Sequence, residues 1–262
     1  MKSLANITHL IIDMDGVLYL GDQPMPHLRE FIAFLRERHI PFILATNNST
    51  RTPKEYVDKL ALMGVQVSLD EILVSGQATA RFLASEYPLG TRVHVFGMPA
   101  LKQAMTDEGF ILADENVQLV VASMDRYVTY EKLKRATLLI RRGARFIATN
   151  LDPTNPTEEG LIPGTGSMIA ALSTASETKP TAIGKPEPIM YQLAMEQMGA
   201  CPDTTAAIGD RVDTDILGGK RAGLITICVL SGSSTRAEAE AFETDLIFDD
   251  ISHLLETWSH PA

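Results

Sequence analysis

Short apolar runs alternate with helical patterns along almost the whole chain, and this alternation limits the fold more than any other feature. The first run, at residues 10–12, precedes apolar positions at helical spacing over about 26–39, and a second run follows at 40–45. Runs this short suit buried strands, because helices of globular proteins are usually longer. Strands that alternate with helices are typical of a parallel sheet covered by helices. The sequence therefore predicts an α/β fold around a parallel sheet.

The middle of the chain carries its own series of strands and helices, which predicts an inserted domain. The pattern is interrupted at residues 86–90, and the series of the first domain resumes at about residue 180. Strands are expected at 93–96, 119–122 and 145–148, helices at 99–108 and 130–141, and a polar loop before a helix near 167–175. We therefore predict a discontinuous core domain of residues 1–85 and 180–262, and an inserted α/β domain of residues 86–179.

Clustered carboxylates end two of the predicted core strands. Asp13 and Asp15 follow the first apolar run, and aspartates at 210, 213 and 215 follow the run at 204–208. Alternation along an extended strand would send Asp13 and Asp15 to the same side, and Gly16 then lets the chain turn. Two carboxylates about 4 Å apart repel by roughly 4 kcal/mol at an effective dielectric near 20. Such a pair needs a shared proton, a lysine or a metal ion nearby.

Two further polar segments end predicted core strands. Thr46 and Asn47 follow the run at 40–45, and Lys185 follows the run at 181–183. Each segment alone is also typical of a turn or a solvated loop. The carboxyl ends of parallel strands meet at one edge of a sheet, where open α/β proteins bind ligands. Four such segments in one chain therefore predict a single ligand site.

Composition limits the partners that this protein can have. The 262-residue chain has a formal net charge of −10 and two cysteines, Cys201 and Cys228. An acidic chain is a poor general binder of nucleic acids, because their phosphates need a basic surface. Two distant cysteines suit a reducing compartment, and we see neither a signal peptide nor a membrane-length apolar run. We therefore expect a cytoplasmic protein with no nucleic-acid or membrane partner.

The four polar segments resemble the signature motifs of haloacid dehalogenase superfamily phosphatases. They are more similar to the NagD-like branch, which includes 4-nitrophenylphosphatases and phosphoglycolate phosphatase and inserts an α/β cap between the second and third motifs. The resemblance covers essentially the whole chain and implies a Rossmann-like core, Mg²⁺ as cofactor, and a small phosphorylated metabolite as substrate. It also suggests a homodimer formed through the cap. The matching segments are residues 13–18, 46–49, 184–186 and 209–216, with 148–153 and 163–167 in the cap.

The resemblance assigns roles to the aspartates. It implies that Asp13 is the nucleophile that forms an aspartyl-phosphate, and that Asp15 protonates the leaving group and then deprotonates water. Asp13, the backbone carbonyl of Asp15 and Asp210 would hold Mg²⁺. Asp215, together with Asp213, would orient metal-bound water or the lysine of the third motif.

It also assigns roles to uncharged and basic groups. Thr46, through its hydroxyl, and Asn47, through its backbone N–H, would hold phosphate oxygens, and Lys185 would offset the charge of nucleophile and phosphate. Asn150 and Asp152 would line the cap and select the substrate. An Asx-turn that caps a strand explains these two cap residues equally well.

Other functions remain compatible with parts of this pattern. A receiver-like phosphoacceptor module also gathers acidic residues around Mg²⁺, but the inserted domain and Asp15 argue against it. A dehalogenase on the same fold is a further alternative, which the second aspartate and the metal-binding aspartates disfavour. A binding protein without activity is less compatible, because none of the expected catalytic residues is missing. The substrate stays open among sugar phosphates, phosphoglycolate, glycerol phosphate, nucleoside monophosphates and 4-nitrophenyl phosphate.

Overall fold

The computed structural model describes residues 3–157 and 159–260, and it confirms the predicted α/β fold with parallel sheets. The described chain forms two compact units. The core unit comprises the residues up to 46, residues 53–73, and the residues from 185 onward. The inserted unit comprises residues 47–52 and 74–184.

Most strands are short, and nearly all of the central ones are apolar. The strands are, in chain order, β1 (His9–Ile12), β2 (Tyr19–Leu20), β3 (Gln23–Pro24), β4 (Phe42–Thr46), β5 (Ile72–Val74), β6 (Arg92–Phe96), β7 (Ile111–Leu112), β8 (Leu119–Ala122), β9 (Arg145–Ala148), β10 (Thr154–Thr157), β11 (Gly160–Pro163), β12 (Thr181–Ala182), β13 (Thr205–Gly209), β14 (Ile225–Val229) and β15 (Leu246–Phe248).

Helices follow most of the strands. They are α1 (Leu28–Glu37), α2 (Pro53–Leu62), α3 (Ser75–Glu86), α4 (Pro99–Asp107), α5 (Tyr130–Arg141), α6 (Thr165–Ser176), α7 (Ile189–Met198), α8 (Leu217–Arg221), α9 (Arg236–Ala241) and α10 (Ile251–Ser259). Short 3-10 helices span Leu4–Asn6, Leu69–Glu71 and Pro202–Thr204, and a π-helical turn spans Val212–Ile216.

The core unit is built on a six-stranded sheet with the order β15-β14-β13-β1-β4-β5. The pairs β1–β13, β1–β4, β13–β14 and β14–β15 are all parallel. Renumbered within this sheet, the strands read 3-2-1-4-5-6, which is the doubly wound order of dinucleotide-binding folds. Crossover connections lead into β4 and β13, the two neighbours of β1. In β1 itself, Leu10, Ile11 and Ile12 are each at most 2% exposed, as expected for a strand that is covered on both faces.

The inserted unit has its own parallel sheet of five strands, with the order β12-β9-β8-β6-β7. Helices α5 and α6 pack on one face of this sheet over a core that includes Phe96, Leu139, Phe146 and Leu172. The stretch expected to be a polar loop instead contains the antiparallel hairpin β10–β11.

The division between the units differs from the predicted boundaries at residues 85/86 and 179/180. Helix α3 groups with the inserted unit, where the Gly76 position lies against the side chain of Leu101 in α4. Strand β12 also belongs there, because it pairs with β9 through Thr181 and Ile147. Local sequence patterns could not predict either contact, because each contact joins segments that are distant in the chain. Among the described residues, no helix is long and apolar enough to cross a membrane.

Candidate active site

The carboxyl ends of β1 and β13 lie side by side at the point where the strand order of the core sheet reverses. Asp13 comes directly after β1, and its backbone N–H donates to the carbonyl of Ile208 in β13 at 2.8 Å. Asp210 comes directly after β13. Ligands of open α/β sheets bind in the crevice at this switch point, because the crossovers on its two sides run over opposite faces. The topology therefore brings these two aspartates together.

Three carboxylates and one ammonium group form the centre of the site. Asp13, Asp210 and Asp215 each offer a carboxylate oxygen, and the three oxygens lie within 4.8 Å of one another. Lys185 donates to Asp13 Oδ1, to Asp215 Oδ1 at 2.7 Å and to the carbonyl of Ala45 at 3.1 Å. Its side chain is 4% exposed and that of Asp13 is 11% exposed. The four predicted residues Asp13, Lys185, Asp210 and Asp215 thus share one site.

Burial and mutual proximity shift the pKa values of the charged groups in this cluster. Burial, together with Asp215 and Asp210, raises the pKa of Asp13 well above its ordinary value, although Lys185 opposes the shift. Burial and Asp215 raise the pKa of Asp210 to about 6. Burial alone would lower the pKa of Lys185, but Asp13 and Asp215 raise it well above its ordinary value. The lysine therefore keeps its proton, and its single ammonium group faces three carboxyl groups.

The π-helical turn after β13 separates two aspartates that the sequence places two positions apart. Asp215 is 2% exposed and accepts from the backbone N–H of Arg211 at 3.2 Å as well as from Lys185. Asp213 is 62% exposed and pairs with Arg211 at 2.9 Å. The structure therefore brings Asp215 to Lys185 as predicted, but it leaves Asp213 outside the cluster.

The first strand ends earlier than the sequence suggested. Strand β1 stops at Ile12, so Asp13 and Asp15 lie beyond the strand, just before a turn at residues 16–18. Asp15 is exposed and forms a bridge with Tyr19, and Gly16 adopts a φ of +83°. Alternation along a strand therefore does not position Asp15. The predicted turn at Gly16 is confirmed.

The predicted phosphate-binding pair lies at the end of β4. Thr46 is the last residue of that strand and is 4% exposed. It follows Ala45, whose carbonyl accepts from Lys185. Asn47, the next residue, belongs to the inserted unit and is hydrogen-bonded there to Asn150 and Asp152. The two cap residues predicted from the sequence thus contact Asn47.

Sequence reasoning missed the loop after β14. The backbone N–H of Ser233 donates to Asp210 Oδ2 at 2.7 Å, and Ser231 donates to the carbonyl of Gly16 at 2.7 Å. Between them, Gly232 lies so close to Asp210 that no side chain fits. The available signal was a Ser-Gly-Ser-Ser run at residues 231–234, directly after an apolar strand of the same sheet.

A buried tyrosine was also missed. Tyr191 of α7 is 2% exposed, and its hydroxyl donates to the backbone carbonyl of Asp215 at 3.0 Å. Its ring fills the space beside Gly218, where a Cβ atom would lie 2.6 Å from Tyr191 Cε2. Tyr191 therefore supports the turn that carries Asp215.

Comparison with known families decides the identity. A model described as haloacid dehalogenase-like hydrolase matches residues 10–111, and a related model of the same superfamily matches residues 182–254. An acid sugar phosphatase of Staphylococcus saprophyticus is 40% identical over 256 residues, which cover 97% of this chain and 98% of the relative. The chain belongs to the haloacid dehalogenase-like hydrolase family. The predicted membership of this superfamily is confirmed.

Solved structures of the family have the same fold. A 4-nitrophenylphosphatase from Thermotoga maritima superposes with a TM-score of 0.93 at 37% identity, over 98% of this chain and 99% of that one. NagD from Escherichia coli K-12 superposes with a TM-score of 0.89 at 32% identity, over 94% and 97% of the two chains. The predicted likeness to NagD and the 4-nitrophenylphosphatases is therefore confirmed, and with it the class of the enzyme, a phosphoric monoester hydrolase.

Proposed function

We propose that this phosphatase hydrolyses small phosphate monoesters with the help of Mg²⁺, and that Asp13 carries the phosphoryl group between the two chemical steps. The observation that supports this most is the position of Lys185, which holds Asp13 and Asp215 together beside Asp210. An ammonium group fixed against a nearly buried carboxylate is the arrangement that attack on a phosphate anion needs, because both reactants are negative.

The residues present fit a divalent cation. Hard cations prefer oxygen ligands, and Asp13 and Asp210 supply carboxylate oxygens in a cluster of three such groups. Burial, followed by the nearby Asp215, raises the pKa of Asp210 to about 6, and a bound cation would oppose that shift. Asp13, Asp210 and the carbonyl of Asp15 would hold the ion. When bound, Mg²⁺ offsets the charge of these carboxylates and of the phosphate oxygens.

The proposed reaction has two steps on the protein's own groups. A carboxylate oxygen of Asp13 attacks phosphorus, the bond from phosphorus to the ester oxygen breaks, and Asp15 gives its proton to the leaving alkoxide. Asp15 then takes a proton from water, the water oxygen attacks phosphorus, and the bond to Asp13 breaks. Inorganic phosphate leaves, and both aspartates return to their starting states.

The neighbouring groups hold the phosphate during these steps. We assign the hydroxyl of Thr46 and the backbone N–H of Asn47 to two phosphate oxygens, and the ammonium of Lys185 to the charge shared by nucleophile and phosphate. Asp215 holds Lys185 in place at 2.7 Å, and Tyr191 holds the turn of Asp215. Hydrolysis of phosphate monoesters requires accelerations of up to about 10²¹-fold, so several such contributions must act together.

Relatives support a choice among substrates. Similar proteins are named acid sugar phosphatases and a p-nitrophenyl phosphatase. We therefore propose sugar phosphates and related small monoesters as substrates, with 4-nitrophenyl phosphate as a practical assay compound. The cytoplasmic location and the homodimer remain predictions from the sequence.

A substrate panel tests this function. Purified protein with Mg²⁺ should release phosphate from 4-nitrophenyl phosphate and from at least one sugar phosphate, and Asp13→Asn should lose that activity while it stays folded. Asp203→Asn, which changes an exposed aspartate before β13, is the matched control and should keep full activity. Substantial activity in Asp13→Asn would refute the assignment of Asp13 as the nucleophile.

The same preparation separates the alternatives. A receiver-like module would accumulate phosphorylated protein for minutes without turnover. A dehalogenase would release halide from a haloacid. Either result in the wild-type protein would contradict the proposed function, whereas steady phosphate release supports it.

A further inference from the structure

The backbone carbonyl of Asn47 is held by two side chains of the inserted unit. Asn150 Nδ2 donates to it at 2.7 Å, and the hydroxyl of Ser75 donates to it at 2.6 Å. A carbonyl oxygen has two lone pairs, so these donors use its full capacity. The peptide that joins residues 47 and 48 is therefore fixed in direction.

The side chain of Asn47 is also held. Its amide Nδ2 donates to Asp152 Oδ2 at 3.0 Å. On its other side, the backbone of Gly184 lies so near that a Cβ atom there would be 2.6 Å from Asn47 Oδ1. Asp152 is fixed in turn, since its backbone N–H donates to Asn150 Oδ1 at 3.1 Å. Asn150 and Asp152 thus form one unit around Asn47.

The polar atoms of Asn150 are used inside the protein. The residue is 2% exposed, its Oδ1 accepts from Asp152, and its Nδ2 reaches Asn47 as well as the Thr149 hydroxyl at 3.4 Å. A side chain that selects substrates needs polar atoms directed at the ligand. Asn150 instead directs both of its polar atoms at the protein.

A second anchor holds the same segment two residues further along the chain, at Ser49. The hydroxyls of Ser49 and Ser123 are hydrogen-bonded, and Thr149 donates to Ser123 Oγ at 2.9 Å. Ser123 follows β8 and Thr149 follows β9, so the segment is tied to the ends of two neighbouring strands. All these groups are buried. Buried polar networks with every member satisfied fix a unique conformation.

We propose that Asn150 and Asp152 are positioning residues that orient Asn47 for phosphate binding, and that they do not choose among substrates. This inference rests on the proposed function, in which the N–H of Asn47 holds a phosphate oxygen. The N–H and carbonyl of one residue are linked through φ and ψ, so fixing the carbonyl and the side chain limits the directions of the N–H. A donor fixed before phosphate arrives needs no ordering on binding, which strengthens the contact.

Phosphate affinity tests the proposal. The probe is inorganic phosphate with Mg²⁺, titrated calorimetrically into wild type, Asn150→Asp, Asp152→Ala and Ser75→Ala. Each variant removes one partner of Asn47, and we expect phosphate to bind about tenfold more weakly in each, as for the loss of one hydrogen bond. Asp152→Asn is the conservative variant, because its amide oxygen still accepts from Asn47, and it should restore most of the affinity. Asn116→Asp, at an exposed position of the inserted unit, should bind phosphate as wild type does.

Turnover gives a second, independent readout. We expect kcat/KM to fall by the same factor for 4-nitrophenyl phosphate and for a sugar phosphate, because the damaged contact is to the phosphoryl group that both share. Factors that differ between the two substrates, with unchanged phosphate affinity, would show a substrate-selecting role and overturn the proposal. Thermal unfolding of each variant identifies any that fails to fold, and the remaining variants then decide.

The experiments distinguish failure of the proposed function from failure of this inference about Asn150 and Asp152. Wild type that binds phosphate but hydrolyses no monoester would contradict the proposed function, while the comparison of phosphate affinities would still decide the role of Asn150 and Asp152. Wild type that binds no phosphate would overturn the inference itself.

Discussion

The Cα atom of Gly232 lies so close to the carboxylate of Asp210 that a Cβ atom built on it would be 2.0 Å from Asp210 Oδ2. The next residue, Ser233, donates its backbone N–H to that same oxygen at 2.7 Å. The loop after β14 therefore holds the proposed metal ligand, and Ser233 contributes a side-chain hydrogen bond as well as its backbone N–H. This contact is possible only where residue 232 has no side chain.

Replacing Gly232 should consequently impair the site. In Gly232→Ala the methyl group must displace Asp210 or its own loop, and we expect activity or Mg²⁺ affinity to fall by about 10–100-fold, as for other groups that orient metal ligands. The measurement is phosphatase activity as a function of Mg²⁺ concentration.

Gly76→Ala is the matched control for that substitution. A Cβ atom at Gly76 in α3 would meet its nearest neighbour, Leu101 Cδ1, at an ordinary 3.4 Å. We expect unchanged activity and a free energy of unfolding equal to that of wild type or higher by about 0.5–1 kcal/mol, since alanine favours helices. Equal activity of Gly232→Ala and wild type at every Mg²⁺ concentration would show that the close packing of residue 232 on Asp210 does not affect function.

Removal of the lysine charge should destabilise the protein as well as inactivate it. Lys185→Met keeps the length of the side chain but leaves Asp13 and Asp215 buried without their cation. Loss of one partner of a buried ion pair costs about 3–5 kcal/mol. We expect a decrease of that size in the free energy of unfolding, measured by urea denaturation in the presence of EDTA.

A second substitution provides the control for this prediction. Adding Asp215→Asn to Lys185→Met removes one of the two uncompensated carboxylates, so the double variant should be more stable than Lys185→Met alone. Additive losses in the double variant would mean that the destabilisation has another origin.

His94 should make stability depend on pH. It is 8% exposed, and burial lowers its pKa below 6.5 although Asp114, 3.0 Å away, opposes the shift. The unfolded chain therefore binds a proton at higher pH than the folded protein does. The stability that neutral His94 provides is complete above pH 6.5 and is lost as pH falls through the lower pKa of the folded state.

The comparison with His94→Gln isolates this contribution, because many other groups titrate in the same range. We expect wild type to lose free energy of unfolding relative to His94→Gln as pH falls from about 7.5 to 5. The measurement is urea denaturation at several pH values. A difference between the two proteins that stays constant with pH would contradict the assignment.

The clear patterns of this sequence predicted their elements closely. Helix α5 (Tyr130–Arg141) has the predicted bounds, because it combines apolar spacing with clear ends. The hairpin β10–β11 was expected to be a loop. Its strands contain threonine, asparagine and glycine without alternation, so they form only because they pair with each other.

The site was predictable where topology alone assembles it. Asp13 and Asp210 follow neighbouring strands of one parallel sheet, so their meeting follows from strand order. Lys185 follows β12, which pairs with β9 in the other sheet, so strand order alone does not bring it to the site. The sequence could not predict which of Asp213 and Asp215 reaches Lys185. The answer depends on a π-helical turn, for which the sequence has no recognisable pattern. The contacts of Asn150 were hidden for a similar reason, since they join segments about a hundred positions apart.

The central claim is that Asp13 itself accepts the phosphoryl group. The direct measurement mixes substrate with excess enzyme, quenches with acid within one turnover, and reduces the protein with borohydride, which converts an aspartyl-phosphate to homoserine. Mass spectrometry of the peptide that contains residue 13 should then find homoserine at that position, and the Asp13→Asn variant should show none. Substrate consumed without modification of residue 13, or modification at another aspartate, would contradict the account.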